Sequence, residues 1–311
     1  MNRWRALATG HCLRAANRDF ETSASPMKRQ GQDRRVEARG RAAPPGAGGG
    51  ELARLLRAAL KCLHNGTVAD GEALCRRALA VEPKSADAHH LLGLLMHRGG
   101  RLRDSIEQIR RAISFNRRFA PFHNSLGTVL GDIGELEEAA QAFQKAIALQ
   151  PNYPEAISNL GAAFKNARRY GESVTLHRRA IALKPDYPDA HNNLGNTLLR
   201  QEEAAAAVEA YRAAVRLRPK NARYHNNLAA ALVEDDQLEE AIAECHAALL
   251  LRPGYPEAYA NLGRALAEGG RCDDALAAYR TAQRFQAGFA NAIYGEGQVL
   301  LMLRDYPTGW A

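Results

Sequence analysis

Several signatures that would assign this 311-residue chain to a common protein class are missing. No apolar run approaches the ~18 residues of a membrane-spanning helix, and residues 1–18 lack the apolar core of a secretory signal. The phosphate loop GxxxxGK, the zinc-protease motif HExxH and the nucleophile elbow GxSxG do not occur. These absences favour a cytoplasmic protein that is not an enzyme, uses no cofactor and has no membrane partner.

Cysteine is scarce and odd in number, with five residues in the chain. Cys62, Cys75 and Cys245 fall at helix positions where a small hydrophobic residue is expected. We therefore predict reduced thiols in the core rather than disulfides or metal ligands.

Positive charge is unevenly distributed along the chain. The formal net charge is +8, but the excess of lysine and arginine lies in residues 1–119, whereas residues 120–311 are net acidic. A nucleic-acid-binding surface would place basic residues along one continuous face. Because the acidic run at Glu234, Asp235 and Asp236 would repel phosphate, we expect no nucleic acid partner.

The dominant feature is a unit of 34 residues that repeats from Leu52 to the end of the chain without insertion or deletion. A fixed period of this length indicates a repeat solenoid. The full units are 52–85, 86–119, 120–153, 154–187, 188–221, 222–255 and 256–289, and 290–311 is part of an eighth.

Small residues and proline recur at fixed positions when each unit is numbered from 1 to 34. Position 27 is alanine in all seven full units, and position 32 is proline in five of them, which ends the second helix. Each unit is thus predicted as a helix, a short turn and a second helix. Position 8 is glycine or alanine in every unit: Ala59, Gly93, Gly127, Gly161, Gly195, Ala229, Gly263 and Gly297.

This pattern resembles the tetratricopeptide repeat (TPR). The resemblance implies an all-α fold, a right-handed α-solenoid (superhelix) of seven helix pairs plus a partial eighth, spanning residues 51–311. Residues 1–50 have no sustained periodicity and end in prolines and glycines. We predict that they form a disordered basic leader and linker.

Asparagine recurs at position 6, which lies on the opposite side of the first helix from the buried stripe of positions 4, 7, 8 and 11. Its amide offers both a donor and an acceptor. If the first helices pack ~10 Å apart, neighbouring amides are also ~10 Å apart. This distance is close to the length of about three residues of an extended chain. We therefore predict that these asparagines bind a peptide backbone. The four residues, here called the asparagine ladder, are Asn159, Asn193, Asn227 and Asn261.

Neighbouring polar residues would then contact the side chains of the ligand. The candidates are Asn124, Asn192, Asn226 and Asn196, with Thr128, Asn166, Arg200 and Arg264 beside them. An alternative is that the ladder residues are solvated or bond between repeats and were copied by duplication. The histidines at position 4 (His89, His123, His191 and His225) are too far apart to share a metal ion and are predicted to pack in the core.

The run AHNNLGNTL at Ala190 to Leu198 and the repeated asparagine also resemble the superhelical region of O-linked N-acetylglucosamine transferase and its bacterial relatives. That resemblance implies that the ladder holds protein substrates in extended form. The sequence departs from the family pattern at Leu91 and Gly295, so we expect the ladder to stop short of both ends of the array. Two functions remain open. One is a scaffold for an extended partner segment, and the other is the substrate-recognition region of a glycosyltransferase whose catalytic domain is absent from this chain.

The last helix is apolar where a terminal repeat would be polar. Val299 to Leu303 is an unbroken apolar run, and a second helix is predicted to begin near Asp305. We expect either continuation of the natural chain or self-association at this end.

Overall fold

The computed structural model describes residues 47–303, which contain fifteen α-helices, one short 3₁₀ turn and no strand. The all-α prediction is therefore confirmed. None of these helices combines the length and apolar content needed to cross a membrane. The helices are α1 (Ala47–Asn65), α2 (Val68–Val81), α3 (Ala86–Arg98), α4 (Leu102–Phe115), α5 (Ala120–Ile133), α6 (Leu136–Leu149), α7 (Pro154–Asn166), α8 (Tyr170–Leu183), α9 (Pro188–Leu198), α10 (Ala204–Leu217), α11 (Ala222–Glu234), α12 (Leu238–Leu251), α13 (Pro256–Glu268), α14 (Cys272–Phe285) and α15 (Ala290–Met302).

The helix boundaries follow the repeat. From the second repeat on, the first helix begins at position 1, as at Ala86, and the second ends at position 30, as at Leu183. Proline at position 32 follows two residues later, as at Pro185. At the start of the array, α1 begins at Ala47, inside the range predicted as linker. The rest of the predicted leader and the helix predicted near Asp305 lie outside the described residues.

The turn between the two helices of a repeat has a left-handed residue at position 15. Gly66, Gly100, Gly134 and Gly270 have φ between 76° and 90°, and Arg168, Glu202 and Asp236 have φ between 57° and 62°. The next residue donates its backbone N–H to the carbonyl of position 11, as from Gln237 to Leu232 at 2.8 Å. This is the Schellman arrangement, which satisfies a carbonyl that the helix end leaves unpaired.

The helices form two compact units, one up to Ala163 and the other from Phe164, so that the boundary falls within α7. In each unit the two helices of a repeat pack against each other, and the second helix packs against the first helix of the next repeat. In the second unit, one hydrophobic cluster extends from Val174 to Leu300. Stacked helix pairs of this kind make each unit an α-solenoid.

Small residues at position 8 allow the two helices of a repeat to approach each other closely. In the second unit, a Cβ added to Gly195 would lie 2.8 Å from the ring of Tyr211, and one added to Gly263 would lie 2.8 Å from the ring of Tyr279. Tyr211 and Tyr279, both at position 24, are buried. The position-27 alanines, such as Ala214, have no solvent exposure.

The cysteine prediction is also confirmed for two core positions. Cys75 and Cys245 have no solvent exposure, and all four described cysteines are free thiols. Burial raises the pKa of both buried thiols to about 12, so they remain protonated at neutral pH. Cys62 is only partly buried.

The close approach at position 8 leads to a stability prediction. Changing Gly195 to Ala places a methyl group against the Tyr211 ring. Because the ring must shift, we expect the free energy of unfolding to fall by about 1–3 kcal/mol. The matched control is Gly171→Ala in α8, where no atom lies within 4 Å of the added Cβ. That change should stabilise the helix by up to about 1 kcal/mol. Urea unfolding followed by circular dichroism measures both, and equal shifts would contradict the role of the close contact.

A buried histidine leads to a second prediction, on pH. His177 has no solvent exposure, and burial, with a smaller effect of Lys165, lowers the pKa of its imidazole to about 3. Its pKa in the unfolded chain is ~6.5. Between these two values the unfolded state binds a proton that the folded state does not bind. Stability therefore falls as the pH drops below about 6.5, by at most about 1.4 kcal/mol per pH unit from this residue.

His177→Phe should remove this part of the pH dependence, because Phe143 fills the same repeat position without a titrating group. The measurement is the free energy of unfolding in urea at about pH 7.5 and about pH 5.5. We expect the difference between the two pH values to be smaller in the variant. An unchanged difference would show that His177 does not contribute.

Candidate functional site

The asparagine ladder connects neighbouring repeats. In each bond the Nδ2 of a ladder residue donates to the Oδ1 of the asparagine at position 5 of the preceding repeat. The three bonds run from Asn159 to Asn124 at 3.0 Å, from Asn227 to Asn192 at 2.8 Å and from Asn261 to Asn226 at 2.9 Å. We call each such bond a rung. The first lies in the first compact unit and the other two in the second.

A related rung precedes these in the first unit. His90 occupies position 5 and Ser125 position 6, and the His90 Nε2 lies 2.9 Å from the Ser125 Oγ. The imidazole also contacts the Phe122 ring, with centroids 4.7 Å apart. Burial lowers the pKa of His90 to about 3, so this histidine is neutral at physiological pH. The link between positions 5 and 6 thus does not require two amides.

The two members of a rung differ in exposure. All four ladder residues, Asn193 included, are partly exposed. The position-5 partners were expected to meet ligand side chains, but the structure places them in the interior, where Asn124, Asn192 and Asn226 are 2%, 1% and 7% exposed. Sequence spacing gave no signal for this, since both positions carry the same residue type. The inter-repeat bonding that the sequence left as an alternative is thus present at three rungs.

Each rung leaves part of the ladder amide unused. An asparagine side chain has two N–H groups and one carbonyl oxygen, and the rung uses one N–H. Within the described residues, the Oδ1 atoms of Asn227 and Asn261 accept no hydrogen bond, and the Asn261 Nδ2 donates also to the Asn226 backbone carbonyl at 3.4 Å. The Asn227 amide therefore keeps one donor and one acceptor, the Asn261 amide keeps its acceptor, and both amides are partly exposed.

A pocket of about 840 Å³ adjoins the end of the ladder in the second unit. It lies between the first helices α9, α11, α13 and α15 and brings together four of the predicted residues, Asn196, Arg200, Asn261 and Arg264. Other lining residues are Leu199, Glu202, Ala204, Ala230, Glu234, Ala260, Tyr279, Asn291, Tyr294, Gly295 and Gln298.

Asn196 is oriented by the core behind it. The Tyr211 hydroxyl donates to the Asn196 Oδ1 at 2.8 Å, and burial raises the pKa of Tyr211, which keeps the phenol protonated as a donor. The acceptor of Asn196 is therefore occupied. Its Nδ2 hydrogens are the groups it can offer to a ligand.

The charged groups of the pocket are balanced. The Arg264 Nη1 donates to the Glu234 Oε1 at 2.6 Å, and its Nη2 donates to the Ala230 carbonyl at 3.0 Å. Arg200 and Glu202 form no ion pair within residues 47–303, and their charges are opposite. The lining residues thus have no net charge.

The position-4 histidines hold the preceding turn instead of a metal. The Nε2 of each lies near the backbone carbonyl six residues earlier: Pro83 at 3.2 Å for His89, Arg117 at 3.0 Å for His123, Pro185 at 3.0 Å for His191 and Pro219 at 2.7 Å for His225. The first, second and fourth are buried as predicted, whereas His191 is partly exposed. In the described part of the chain, no group of three or more metal-ligating side chains is arranged to hold an ion.

The comparisons with known proteins agree on one family. A model described as "Tetratricopeptide repeat" matches residues 56–124, 192–259, 226–288 and 260–308, which together are more than half of the chain. A model described as "TPR repeat" matches residues 129–167 and 169–202. No curated protein matches the sequence.

Solved structures show the same fold at low sequence identity. PilF of Pseudomonas aeruginosa is 21% identical with a TM-score of 0.60, over 68% of this chain and 96% of that protein. A tetratricopeptide repeat protein of Parabacteroides merdae is 12% identical with a TM-score of 0.61, over 81% and 99%. YrrB, described as a TPR protein with an unusual peptide-binding site, is 22% identical with a TM-score of 0.51, over 61% and 98%.

TPR repeats generally mediate protein–protein interactions, and the fold is typically a non-catalytic scaffold. The repeat spacing, the stacked helix pairs and the matches to the family models lead to the same assignment. The chain belongs to the tetratricopeptide repeat family.

Proposed function

We propose that this protein is a scaffold that binds an extended segment of a partner protein along the asparagine ladder of its second unit. The observation that carries the proposal is the rung. It fixes the amides of Asn227 and Asn261 while leaving Asn227 with one donor and one acceptor and Asn261 with its acceptor. Asn193 occupies the same position one repeat earlier and is also partly exposed.

The chemistry suits a polypeptide backbone. A peptide unit presents one N–H and one C=O, and the free Oδ1 and the second N–H of a ladder amide can pair with both. Three residues of an extended chain span about 10 Å, which is close to the spacing of packed helices. One ladder amide would therefore meet every third peptide unit, whatever side chains the ligand carries.

The buried position-5 asparagines act in this proposal as positioning residues. Asn192 and Asn226 accept the rung bonds beneath the surface, so the ladder side chains are already ordered before a ligand arrives. An ordered side chain loses less conformational entropy on binding, which improves affinity without adding a contact. Asn159 and Asn124 offer the same pair in the first unit.

Asn196 and the pocket beside Asn261 would read ligand side chains. The Nδ2 of Asn196 can donate to them, and Arg200 adds a cation that is not paired within the described residues. YrrB, which shares this fold, has a peptide-binding site, and that supports a peptide as the ligand class here.

The alternative function uses the same face. A substrate-recognition region of a glycosyltransferase would also hold protein segments in extended form, and the run at Ala190 to Leu198 carries that resemblance. An open reading frame for a nucleotide-sugar-binding domain after Ala311 would favour it over an independent scaffold.

The test uses peptides selected from a random phage-displayed library of about 12 residues against the full chain, then synthesised with a fluorescent label. For the double variant Asn227→Ala and Asn261→Ala, we expect Kd to rise about 10- to 100-fold, because two ladder amides lose their bonds to the ligand. Fluorescence polarisation measures Kd.

The matched control is Asn192→Ala, which breaks one rung but keeps the Asn227 amide on the surface. It should cost about 1 kcal/mol of stability, like the loss of a hydrogen bond in general, while raising Kd less than the double variant does. A peptide with N-methyl groups at every third residue should also lose affinity, because it keeps its side chains but loses backbone donors. Failure to select any binding peptide, or an unchanged Kd in the double variant, would refute the proposal.

A further inference from the structure

Asn196 and Arg200 lie beside the ladder in the middle of the second unit. Asn196 is on α9, and Arg200 is in the short 3₁₀ turn (Leu199–Gln201) that continues it. They follow Asn193 by three and seven residues, a spacing that places all three on one side of a helix. Asn196 is partly exposed and Arg200 is exposed. Both side chains are therefore accessible to a segment that lies along the ladder.

This pair of side chains presents hydrogen-bond donors to a ligand. The Asn196 Oδ1 already accepts from the Tyr211 hydroxyl at 2.8 Å, so its Nδ2 hydrogens are the groups it offers. A guanidinium has five N–H donors and no acceptor. Burial raises the pKa of Tyr211, and the charge of Arg200 acts against that rise, which indicates that Arg200 lies near the same hydroxyl. The pair is thus suited to a group that accepts several hydrogen bonds.

The two arginines of the pocket differ in their partners. The Arg264 Nη1 lies 2.6 Å from the Glu234 Oε1, and its Nε lies 4.0 Å from the Glu268 Oε1. No carboxylate of residues 47–303 lies within ion-pairing distance of Arg200. Glu202, which balances its charge in the lining as a whole, is an exposed residue of the left-handed turn. The pocket is neutral in sum, but the charge next to Asn196 is positive.

The equivalent places on the next two ladder helices are acidic. Positions 9 and 13 are Ala230 and Glu234 on α11, and Arg264 and Glu268 on α13. Burial raises the pKa of the Glu268 carboxyl, and although Arg264 acts against this, the charges of Glu234 and Asp236 add to it. The carboxylates there outnumber the one arginine. An anionic group would therefore be attracted to α9 and repelled from α13, which gives a ligand one register along the ladder.

The spacing of these groups suits a side chain carried by a backbone on the ladder. The bond from Asn227 to Asn192 holds the Asn227 amide against α9 at 2.8 Å. An α-helix rises about 1.5 Å per residue, so Asn196 lies about 4.5 Å along the axis from Asn193, less than one turn. Because helical side chains tilt toward the N-terminus, Arg200 extends back toward Asn196. A short acidic side chain next to the bound backbone can reach both donors.

We propose that Asn196 and Arg200 bind the carboxylate of one aspartate or glutamate side chain of the partner segment, next to the backbone held by Asn227. The inference rests on the proposed function, since the ladder brings the segment to α9. It adds sequence specificity to a surface that would otherwise read only the backbone. Hydrogen bonds to a carboxylate are stronger than those between neutral groups, and a guanidinium fork matches the two carboxylate oxygens.

The test is a double-mutant cycle on the full chain with the selected peptides. The library is joined to the phage coat protein through the carboxyl end of each peptide, so that no free terminal carboxylate is present during selection. We expect the selected peptides to share one acidic residue at a fixed place. Replacing it by its amide should raise Kd about 5- to 10-fold on the wild-type protein. On Arg200→Gln the same replacement should have less than about a twofold effect.

The matched control is Arg216→Gln. Arg216 is an exposed arginine of α10 that does not line the pocket, so this variant has the same change in net charge and should behave as the wild type. A charge reversal gives a second measurement. Arg200→Glu should bind the peptide with lysine in place of the acid more tightly than the original peptide, and this preference should weaken at high salt.

The outcomes separate this inference from the proposed function. If no peptide is selected, or if binding is unchanged in the double variant Asn227→Ala and Asn261→Ala, the proposed function fails. If peptides bind through the ladder but the amide replacement costs equal affinity on wild type and Arg200→Gln, only the carboxylate site is overturned. A shared aromatic or basic residue in place of the acid would overturn it too. So would binding that is lost when the carboxyl end of the synthetic peptide is amidated, because the terminal carboxylate would then be the ligand.

Discussion

The close contact between position 8 of the first helix and position 24 of the second is the constraint on which the structure depends. Gly195 and Gly263 allow the rings of Tyr211 and Tyr279 to reach the first helix, where a methyl group would not fit. This contact fixes the rotation of the first helix about its own axis, and with it the direction in which position 6 faces. The proposed binding face thus depends on core packing that recurs from repeat to repeat.

Each rung contributes both to the stability of the stacked repeats and to the order of the proposed binding surface. A bond from Asn227 to Asn192 joins two repeats and also holds the amide that would face a ligand. In a solenoid, each repeat touches mainly its neighbours, so such a bond supplies part of the interface that keeps adjacent repeats in register. The His90 and Ser125 pair shows that other residue types can make this connection.

The sequence predicted what depends on period and residue size, and it missed what depends on contacts between repeats. Gly195 at position 8 and Pro185 at position 32 indicated the helix pair and its end. The burial of Asn192 next to the partly exposed Asn193 could not be predicted, since adjacent identical residues differ only in the helices that surround them. The left-handed turn residue was hidden because Arg168, Glu202 and Asp236 replace glycine there. The close contact of Tyr279 with Gly295 could not be predicted either, because it depends on how two successive repeats pack.

All three asparagine rungs run the same way, with the amide nitrogen directed toward the preceding repeat. Within the second unit, the ladder therefore has a polarity, since both of its rungs use the amide nitrogen in the same sense. An extended polypeptide has a polarity of its own, because its N–H and C=O groups also alternate in a fixed sense from the amino to the carboxyl end. A ligand bound by these amides would consequently favour one direction across the successive first helices.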